Sequence, residues 1–192
     1  MYTVVEIGCG EFPTPRFDGA DRHIALDIDA EAIDSALKFG DGHVIPVIGD
    51  ASQIGLRDSC ADIVVARNVF GDPALGMSER NNKMFQSLSL VMIQQGEFDK
   101  LHKLQDDVDV RVNALKTSVM KEVFRVLAVG GKLIAIEQYT PEVARDYFNL
   151  LHTNSNGHKP MEMQEMKIAE VSPCISTDLT CREFDTSWVG VK

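Results

Sequence analysis

Two glycines near the N-terminus and a carboxylate seventeen residues further on have the clearest chemical meaning in this chain. Gly8 and Gly10 follow directly on the β-branched run Thr3–Ile7, and Asp27 ends the apolar run His23–Leu26. A strand, a tight glycine turn and a second strand ending in a carboxylate are typical of the nucleotide-binding half of a doubly wound α/β domain. The glycines let the backbone approach a ligand, and the carboxylate accepts ribose hydroxyls. The spacing therefore predicts a cofactor that contains adenosine.

The residues around the turn argue against a dinucleotide. A G-x-G-x-x-G fingerprint has a third glycine at its sixth position, where this chain has Pro13. No bare backbone is then available for a helix to pack closely and to present its N-terminus to a pyrophosphate. Glu6, just before the turn, would repel a pyrophosphate but suits a ligand that is positively charged at that end. S-adenosylmethionine carries an ammonium and a sulfonium and has no phosphate.

Four stretches of the chain, in order, resemble motifs of class I S-adenosylmethionine-dependent methyltransferases. They are Glu6–Gly10, Leu26–Asp29, Gly49–Ala51 with Cys60–Asn68, and Glu122–Leu133. The last is similar to the family's E-x-x-R-V-L-x-P-G-G-x-L turn from helix to strand, with valine in place of the proline. The matches run from about residue 4 to residue 137 and so cover most of the chain. They imply the superfamily and its cofactor, and they say little about the substrate.

The resemblance implies which residues hold the methionine end of the cofactor. Gly8, Cys9 and Gly10 form the turn that brings the backbone to this end. Glu6 would form hydrogen bonds within the loop and face the ammonium. The alternative for Glu6 is an acid that only caps the turn.

At the adenosine end, Asp27 is implied to accept the ribose hydroxyls and Ile28 to lie against the adenine. Asp29 lies two residues further along the same strand direction, so the ribose contact could fall there instead. Asp50 resembles the acid that accepts the adenine amino group, and Ala51 adds a backbone donor. Asp50 is also a candidate N-cap of the segment that follows, and the two roles are compatible.

Near the transferred methyl group, the resemblance places Asn68 and Val69 at the end of the fourth strand, with Arg67 beside them to pair with an acid or an acidic substrate. The sulfonium already activates the methyl group, so the protein mainly has to align the acceptor. The candidates for a general base are Glu137 and Tyr139 by location and His152 and His158 by chemistry. None of them is assigned as catalytic, and no metal-ligand spacing is present.

The predicted fold is α/β: a Rossmann-like, doubly wound, mostly parallel seven-stranded sheet with an antiparallel C-terminal hairpin and a helical insertion after the fourth strand. Parallel strands are expected at about 2–8, 23–28, 44–48, 63–66 and 132–138, the hairpin at 166–171 and 180–191, and helices at 30–39 and 141–151. The proline in the third strand indicates an edge position. Pro13 and Pro15 should shorten or abolish a first helix, and this loop is expected to be looser or to rely on a partner.

The segment 74–112 is predicted to be a helical insertion or lid within a single domain that spans 1–192. Apolar residues at helical spacing predict one helix over about 78–94 and a long apolar stripe over 101–126, with Gly96 between them. The stripe either packs on the core or helps to cover the substrate pocket, and the sequence does not decide between these roles.

The charge and the cysteines restrict the partners. The chain has 19 basic and 29 acidic residues, a net charge of −10, and such a surface repels phosphate backbones. We therefore expect a small-molecule acceptor, no nucleic acid and no membrane, with a homodimer as a further possibility. Four cysteines without metal-ligand spacing and a chain that enters a strand at once suggest a cytoplasmic protein. Two rival functions are a non-catalytic cofactor-binding scaffold and a nicotinamide-dependent oxidoreductase.

Overall fold

The computed structural model describes residues 1–14, 19–39, 42–70, 79–137, 163–166 and 186–192. The strands are β1 (Thr3–Ile7), β2 (Arg22–Asp27), β3 (Ile45–Ile48), β4 (Ala61–Arg67), β5 (Leu127–Glu137), β6 (Met163–Met166) and β7 (Thr186–Val191). The helices are α1 (Ala30–Phe39), α2 (Glu79–Gln95) and α3 (Phe98–Val126).

The described strands join in one sheet with the order β3-β2-β1-β4-β5-β7-β6. The pairs formed by β1 to β5 are parallel, whereas β7 is antiparallel to both β5 and β6. The predicted Rossmann-like, mostly parallel sheet with antiparallel C-terminal strands is therefore confirmed. The third strand lies at the sheet edge, as its proline indicated, since Pro46 has no amide hydrogen to donate to a further strand.

The ends of several elements differ from the predicted ones. The strand β5 begins at Leu127 rather than near Lys132, and its pairing with β4 is irregular between Ala61 and Ile63. The strand β6 begins at Met163, three residues before the predicted start. The helix α1 has the predicted bounds. The predicted helix over 141–151 lies outside the described residues, as do Cys174 and Cys181.

Each face of the sheet has its own apolar cluster. On one face, side chains from β1, β4 and β5 pack against the second half of α3, where Val119, Val123 and Val126 are buried. On the other face, Val4, Val65 and their neighbours pack with Ala20 from the loop between β1 and β2. Runs that are apolar throughout, such as Ile63–Ala66, are typical of parallel strands with both faces covered.

No helix occurs between β1 and β2 in residues 8–14 and 19–21, the described part of that connection. Pro13 lies in this connection, where the missing amide and the ring disfavour a helical turn. The segment that follows the glycine turn is therefore a loop, and its position depends on contacts with the sheet.

The helices α2 and α3 connect β4 to β5, and α3 has two different halves. From Val112 to Val126 the side chains at positions 112, 116, 119, 123 and 126 are buried. From Phe98 to Arg111 no residue is buried. The buried half is about 22 Å long at 1.5 Å per residue, close to the length of β4. Because α3 ends at the amino edge of the sheet, where Leu127 pairs with Ala61, its first half extends beyond the carboxyl edge.

We call α2 together with residues 98–111 the arm. Its helices match the predicted helical segments, which the sequence placed at about 78–94 and from 101 onward. Gly96, with a φ of 72°, separates them, and this left-handed conformation favours glycine. The lid role predicted for residues 74–112 stays a prediction. Among the described residues, no helix has the length and apolar character that a membrane span requires.

Candidate functional site

The candidate site lies at the carboxyl edge of the sheet, where the ends of four parallel strands are aligned. Ile7 of β1 pairs with Leu26 of β2 on one side and with Ala66 of β4 on the other. Leu26 in turn pairs with Val47 of β3. The segments that follow these strands therefore meet along one edge. They contain the predicted site residues Gly8–Gly10, Asp27 and Ile28, Asp50 and Ala51, and Asn68 and Val69.

The glycine turn is fixed by backbone hydrogen bonds and by a close contact. The amides of Gly8 and Cys9 both donate to the carbonyl oxygen of Leu26, at 2.8 and 3.3 Å. Gly8 and Gly10 have φ values of 65° and 60°, in the left-handed region. A Cβ atom on Gly8 would lie 2.6 Å from Cγ2 of Val69, whereas one on Gly10 would have no neighbour within 4 Å. Gly8 is thus required by its conformation and by its surroundings, Gly10 by its conformation alone.

Asp27 joins the turn to the end of β2. Its Oδ2 atom accepts a hydrogen bond from the amide of Gly10 at 2.8 Å, and its Oδ1 atom accepts one from the amide of Asp29 at 2.9 Å. An ionised carboxylate offers about four acceptor positions. Two of these are used by the backbone, so the side chain, which is half-buried, keeps the capacity to accept two more hydrogen bonds.

Asp29, the alternative ribose contact, has a different role in the structure. Its Oδ1 atom accepts the amides of Glu31 at 2.8 Å and Ala32 at 3.4 Å, and its carbonyl accepts the amide of Ile33. This is the N-cap of α1. Of the two neighbouring acids, Asp27 is therefore the one tied to the glycine turn.

The segment after β3 lies close to β2. The amide of Gly49 donates to the carbonyl of Asp27 at 2.8 Å, and a Cβ atom on Gly49 would lie 2.7 Å from Cδ1 of Leu26. The exposed carboxylate of Asp50 accepts the amide of Ser52 at 2.7 Å, so the predicted capping role is present and further acceptor positions remain. Ala51 is half-buried, and Ile28 is 70% exposed at the end of β2.

At the end of β4, Asn68 and Val69 adjoin the glycine turn. Asn68 has a φ of 56°, uncommon for a residue other than glycine, and its amide donates to the carbonyl of Ile136 at 2.7 Å. Its side chain is exposed, while Val69 is buried and contacts the position of Gly8. The chain therefore turns sharply at Asn68, and Val69 brings the segment after β4 into contact with the glycine turn.

Glu6 lies beneath the turn and is fully buried. Its Oε2 atom accepts the amide of Thr14 and its Oε1 atom the hydroxyl of Thr14, both at 2.8 Å. Nε2 of His23 lies 3.4 Å from Oε2, and a guanidinium nitrogen of Arg67 lies 3.8 Å from Oε1. The predicted hydrogen bonds within the loop are thus present. Contact with a ligand ammonium stays a prediction.

Arg67 pairs with an acid of the protein itself, one of its two expected roles, and it also donates to the carbonyl of Phe12. Together Glu6 and Arg67 hold the loop at Phe12 and Thr14, so the segment that lacks a helix has contacts of its own with the sheet. These loop partners were missed at the sequence level. Alternation along each strand places Glu6 and Arg67 on the same face of the sheet only once the β1–β4 register, with Glu6 opposite Val65, is known.

The thiol of Cys9 is buried and points into the core, against Ala25 and Ile33. Burial and the nearby carboxylates of Glu6 and Asp27 raise the pKa of Cys9 to about 12. The thiol therefore stays protonated and is a poor nucleophile. Any contribution of Cys9 to a cofactor site comes from its backbone.

A second polar cluster fixes the loop after Asp50 to α3. The guanidinium of Arg125 donates to both carboxylate oxygens of Glu122, at 2.7 and 2.9 Å, and to Asp58 at 2.6 Å. It also donates to the carbonyls of Ile54 and Leu56, and the amide of Ile54 donates to Glu122. Because Glu122 accepts these hydrogen bonds in its ionised form, its pKa is lowered. The E-x-x-R motif found in the sequence is thus a structural clamp.

The candidate bases are only partly within the described residues. Glu137 is the last residue of β5, at the carboxyl edge, and its backbone alone is described. Tyr139, His152 and His158 lie outside the described residues. In the described ranges, no group of three or more histidine, cysteine, aspartate or glutamate side chains is arranged to hold a metal ion.

Comparison with known proteins agrees with this geometry. Residues 5–98 match the model of a family described as "Methyltransferase domain". A comparison with curated proteins gives no match. The fold is similar to several solved structures, each at low sequence identity.

The N-methyltransferase NodS from Bradyrhizobium japonicum WM9 is 12% identical, with 100% of this chain and 85% of that chain covered and a TM-score of 0.56. The plantazolicin methyltransferase BpumL, in complex with a monoazolic desmethylPZN analog and S-adenosylhomocysteine, is 10% identical (100% and 76% covered, TM-score 0.56). A chain from the complex between the Haloferax volcanii Trm112 methyltransferase activator and a methyltransferase is 15% identical (99% and 82% covered, TM-score 0.55). NodS has also been crystallised with S-adenosylhomocysteine.

The class that the fold and the family match define is the Rossmann-like, S-adenosylmethionine-dependent class I methyltransferases. Residues 5–98 of this chain match a methyltransferase domain of that class, and the cofactor of the class is S-adenosylmethionine. Structural neighbours bind a substrate analogue in one case and a partner protein in another.

Proposed function

We propose that this protein transfers a methyl group from S-adenosylmethionine to a small-molecule acceptor, and that the carboxyl ends of β1 to β4 hold the cofactor. The observation that carries the proposal is the 2.8 Å hydrogen bond from the amide of Gly10 to the carboxylate of Asp27. This bond fixes an acceptor for ribose hydroxyls directly beside a turn that lets a ligand approach the backbone. The bound product would be S-adenosylhomocysteine.

The chemistry of the edge fits the adenosine part of the cofactor. Asp27 has two acceptor positions left after its two backbone hydrogen bonds, as many as a pair of ribose hydroxyls requires. The exposed side chain of Ile28 offers an apolar surface for the adenine, and Asp50 keeps acceptor capacity for its amino group. The backbone of Ala51 completes this end of the proposed site.

The charge of the edge fits the methionine part. The carboxylate of Asp27 lies against the glycine turn, and the buried Glu6 lies beneath it, paired with Arg67. The site therefore favours a ligand with an ammonium and a sulfonium over one with a pyrophosphate. Glu11–Thr14, the first part of the connection after the turn, is not helical, and so this segment provides no helix N-terminus to bind phosphate. A nicotinamide dinucleotide fits this arrangement poorly.

The protein's part in the reaction is to position the two reactants. When bound, S-adenosylmethionine supplies a methyl group that is activated by its sulfonium. Asn68 and Val69, beside the turn, would border the methyl group, and the acceptor would be aligned above the ends of β4 and β5. Alignment of this kind is worth about 7–11 kcal/mol of the barrier. No side chain of the described residues is assigned as a base.

The net charge of −10 disfavours nucleic acid as the acceptor, and this supports the proposal of a small-molecule acceptor. We propose further that residues 1–192 act as a single domain. A cytoplasmic location is supported by the free thiols of Cys9 and Cys60. The degraded loop sequence at Glu11–Pro15 favours the rival function, a non-catalytic scaffold, whereas the contacts of Glu6 with Thr14 and of Arg67 with Phe12 support an ordered cofactor loop.

Calorimetric titration with S-adenosylmethionine, S-adenosylhomocysteine and NADH tests the cofactor, and variants of the two neighbouring acids test the site. The Asp27→Asn substitution should weaken binding of both adenosyl ligands about 10- to 100-fold, or 1–3 kcal/mol, because it removes charged acceptors for the ribose. The matched control is Asp29→Ser, which keeps a good N-cap for α1 and should bind nearly as the parent does.

Urea unfolding of both variants shows that they are folded before they are compared. If Asp29→Ser binds the adenosyl ligands more weakly than the parent and Asp27→Asn binds them as the parent does, the ribose contact is made by Asp29. No binding of either adenosyl ligand to the parent chain would refute the proposal, and tight binding of NADH alone would point to the oxidoreductase.

A further inference from the structure

The arm exposes an amount of apolar surface that is unusual for one chain alone. Six of its large apolar side chains are between 42% and 60% exposed: Met84, Leu88, Leu90, Val91, Ile93 and Phe98. Together they leave on the order of 500 Å² of apolar surface, divided between the two sides of α2 and the start of α3. Scattered exposed apolar residues need no explanation, but a cluster of this size marks an interaction surface.

The arm also has an open groove between its two helices. The groove has a volume of about 610 Å³, and its apolar lining comes from Phe85, Leu90 and Ile93 of α2 and Leu101 of α3. At the opposite side of α2, residues 84, 88 and 91 recur at helical spacing and form a second apolar face. The helix α2 therefore has apolar side chains both on the side of the groove and on the opposite side. This pattern is expected for a helix that packs against other elements on both sides.

The charges of the arm distinguish it from the rest of the molecule. Residues 84–96 contain no charged side chain, and residues 79–111 contain five basic and six acidic residues, a net charge of −1 out of −10 for the chain. Depletion of charge is characteristic of interface cores. A partner that recognises the protein through its acidic surface would gain little by binding here.

From these observations we infer that the arm is a self-association surface, on which the arm of a second copy packs to form a symmetric dimer. A two-fold interface brings residues near the axis beside their own copies. An uncharged stretch can pack against its own copy without electrostatic repulsion, whereas acidic parts of the chain would repel their own copies. Two helix pairs packed together form a four-helix arrangement, in which the face of α2 formed by residues 84, 88 and 91 packs against the arm of the other copy, while the groove side faces α3 of its own chain.

The outer face of α2 supplies part of the area that such a dimer needs. A standard interface takes about 800 Å² from each partner, and the core of a homodimer interface is about 65% apolar. The exposed side chains of residues 84, 88 and 91 supply the centre of that core, and the polar residues around them supply the rim. Methyl transfer is not required for this association, so the two proposals fail independently.

Sedimentation equilibrium of the full chain tests the inference. The parent chain should have the mass of two chains at micromolar concentrations. The Leu88→Glu substitution should raise the dimer dissociation constant about 100-fold or more, because each dimer contains two buried charges. The matched control is Val129→Glu, which also replaces an exposed aliphatic side chain by glutamate. Val129 is 90% exposed and lies in β5, outside the arm. This control substitution should leave the dimer intact.

Two further measurements separate the outcomes. Far-ultraviolet circular dichroism and S-adenosylhomocysteine binding should be unchanged in Leu88→Glu, since α2 is not part of the sheet or of the cofactor edge. In Val91→Cys, oxidation should give a cross-linked dimer that neither Val129→Cys nor the parent gives. A parent chain that stays monomeric at every concentration, or a dimer that Val129→Glu disrupts as strongly as Leu88→Glu, would overturn the inference.

Discussion

The carboxyl edge of the sheet and the arm are built on opposite principles. At the edge, the defining groups are backbone amides, glycines and carboxylates, and each is held by contacts within the chain, such as those of Gly10 with Asp27 and of Thr14 with Glu6. On the arm, the defining groups are large apolar side chains, and residues 98–111 include none that is buried. The polar groups of the edge are thus preorganised within a single chain, whereas the apolar side chains of the arm stay exposed in a single chain.

The largest effect is expected where the edge is most crowded. Gly8→Ala combines the strain of an alanine at a φ of 65° with a Cβ atom 2.6 Å from Val69, and it should destabilise the protein by about 2–4 kcal/mol. Gly10→Ala has the same kind of strain without a neighbour within 4 Å, so its cost should be about 1 kcal/mol. Urea unfolding measures both.

The two glycines should also differ in how they affect binding. Gly10→Ala should fold and yet lose affinity for S-adenosylhomocysteine, because the space around its Cβ atom belongs to the proposed cofactor site. Adding Val69→Ala to Gly8→Ala should restore part of the lost stability, since it removes the clashing methyl group. Equal destabilisation by Gly8→Ala and Gly10→Ala would show that the contact with Val69 is not a determinant of the turn.

A smaller effect is expected from a pair of valines that compares the two halves of α3 directly. Val123 is fully buried against the sheet, and Val110 on the arm is 70% exposed. Val123→Ala should lower the free energy of unfolding by about 2 kcal/mol through lost burial and a residual cavity. Val110→Ala should change it by less than about 0.5 kcal/mol, helped by the higher helix propensity of alanine.

Chemical denaturation of the two variants at dilute protein concentration gives this comparison without interference from association. Similar losses of stability in both variants would mean that the arm packs as tightly as the core, and the contrast between the two regions would then be wrong.

The parts of the fold that the sequence predicted are those with local signals. The β-branched run before Gly8 and the apolar run before Asp27 define their strands by composition, and the helix over 30–39 begins at a capping acid, Asp29. The apolar stripe over 101–126 predicted a helix, but not that only its second half is buried. Helical spacing describes one face of a helix and contains no information about how far the sheet extends beneath it.

For the site, the sequence identified the residues but not all of their partners. Asp27 and Asp29 could not be separated by spacing alone, and the distinction depends on where α1 begins. The contact of Arg67 with the loop at Phe12 joins residues 55 positions apart. Such contacts depend on the register of neighbouring strands and on a loop without regular structure, neither of which has a local signature.

The smallest effect concerns two glutamate–cation pairs with the same spacing, one beside the sheet and one beside the arm. Glu122 pairs with Arg125 near the end of α3, beside the loop at Ile54, and Glu97 pairs with the exposed Lys100 at the turn between α2 and α3. The hydrogen bonds from Arg125 hold the pKa of Glu122 below its ordinary value of 4.5. A carboxyl group with a lowered pKa in the folded state stabilises the protein above the unfolded pKa, and this contribution is lost as the pH falls through the folded pKa.

Glu122→Gln should therefore reduce the stability of the protein by about 1 kcal/mol at pH 7, and the difference from the parent should shrink as the pH falls below about 4.5. Glu97→Gln should leave the stability nearly unchanged at every pH, because an exposed pair contributes little. Urea unfolding of the parent and both variants between neutral and mildly acidic pH gives the three curves. If the difference between Glu122→Gln and the parent did not depend on pH, the ionised form of Glu122 would not be what joins the loop at Ile54 to α3, and this loop would be held by packing as the core is.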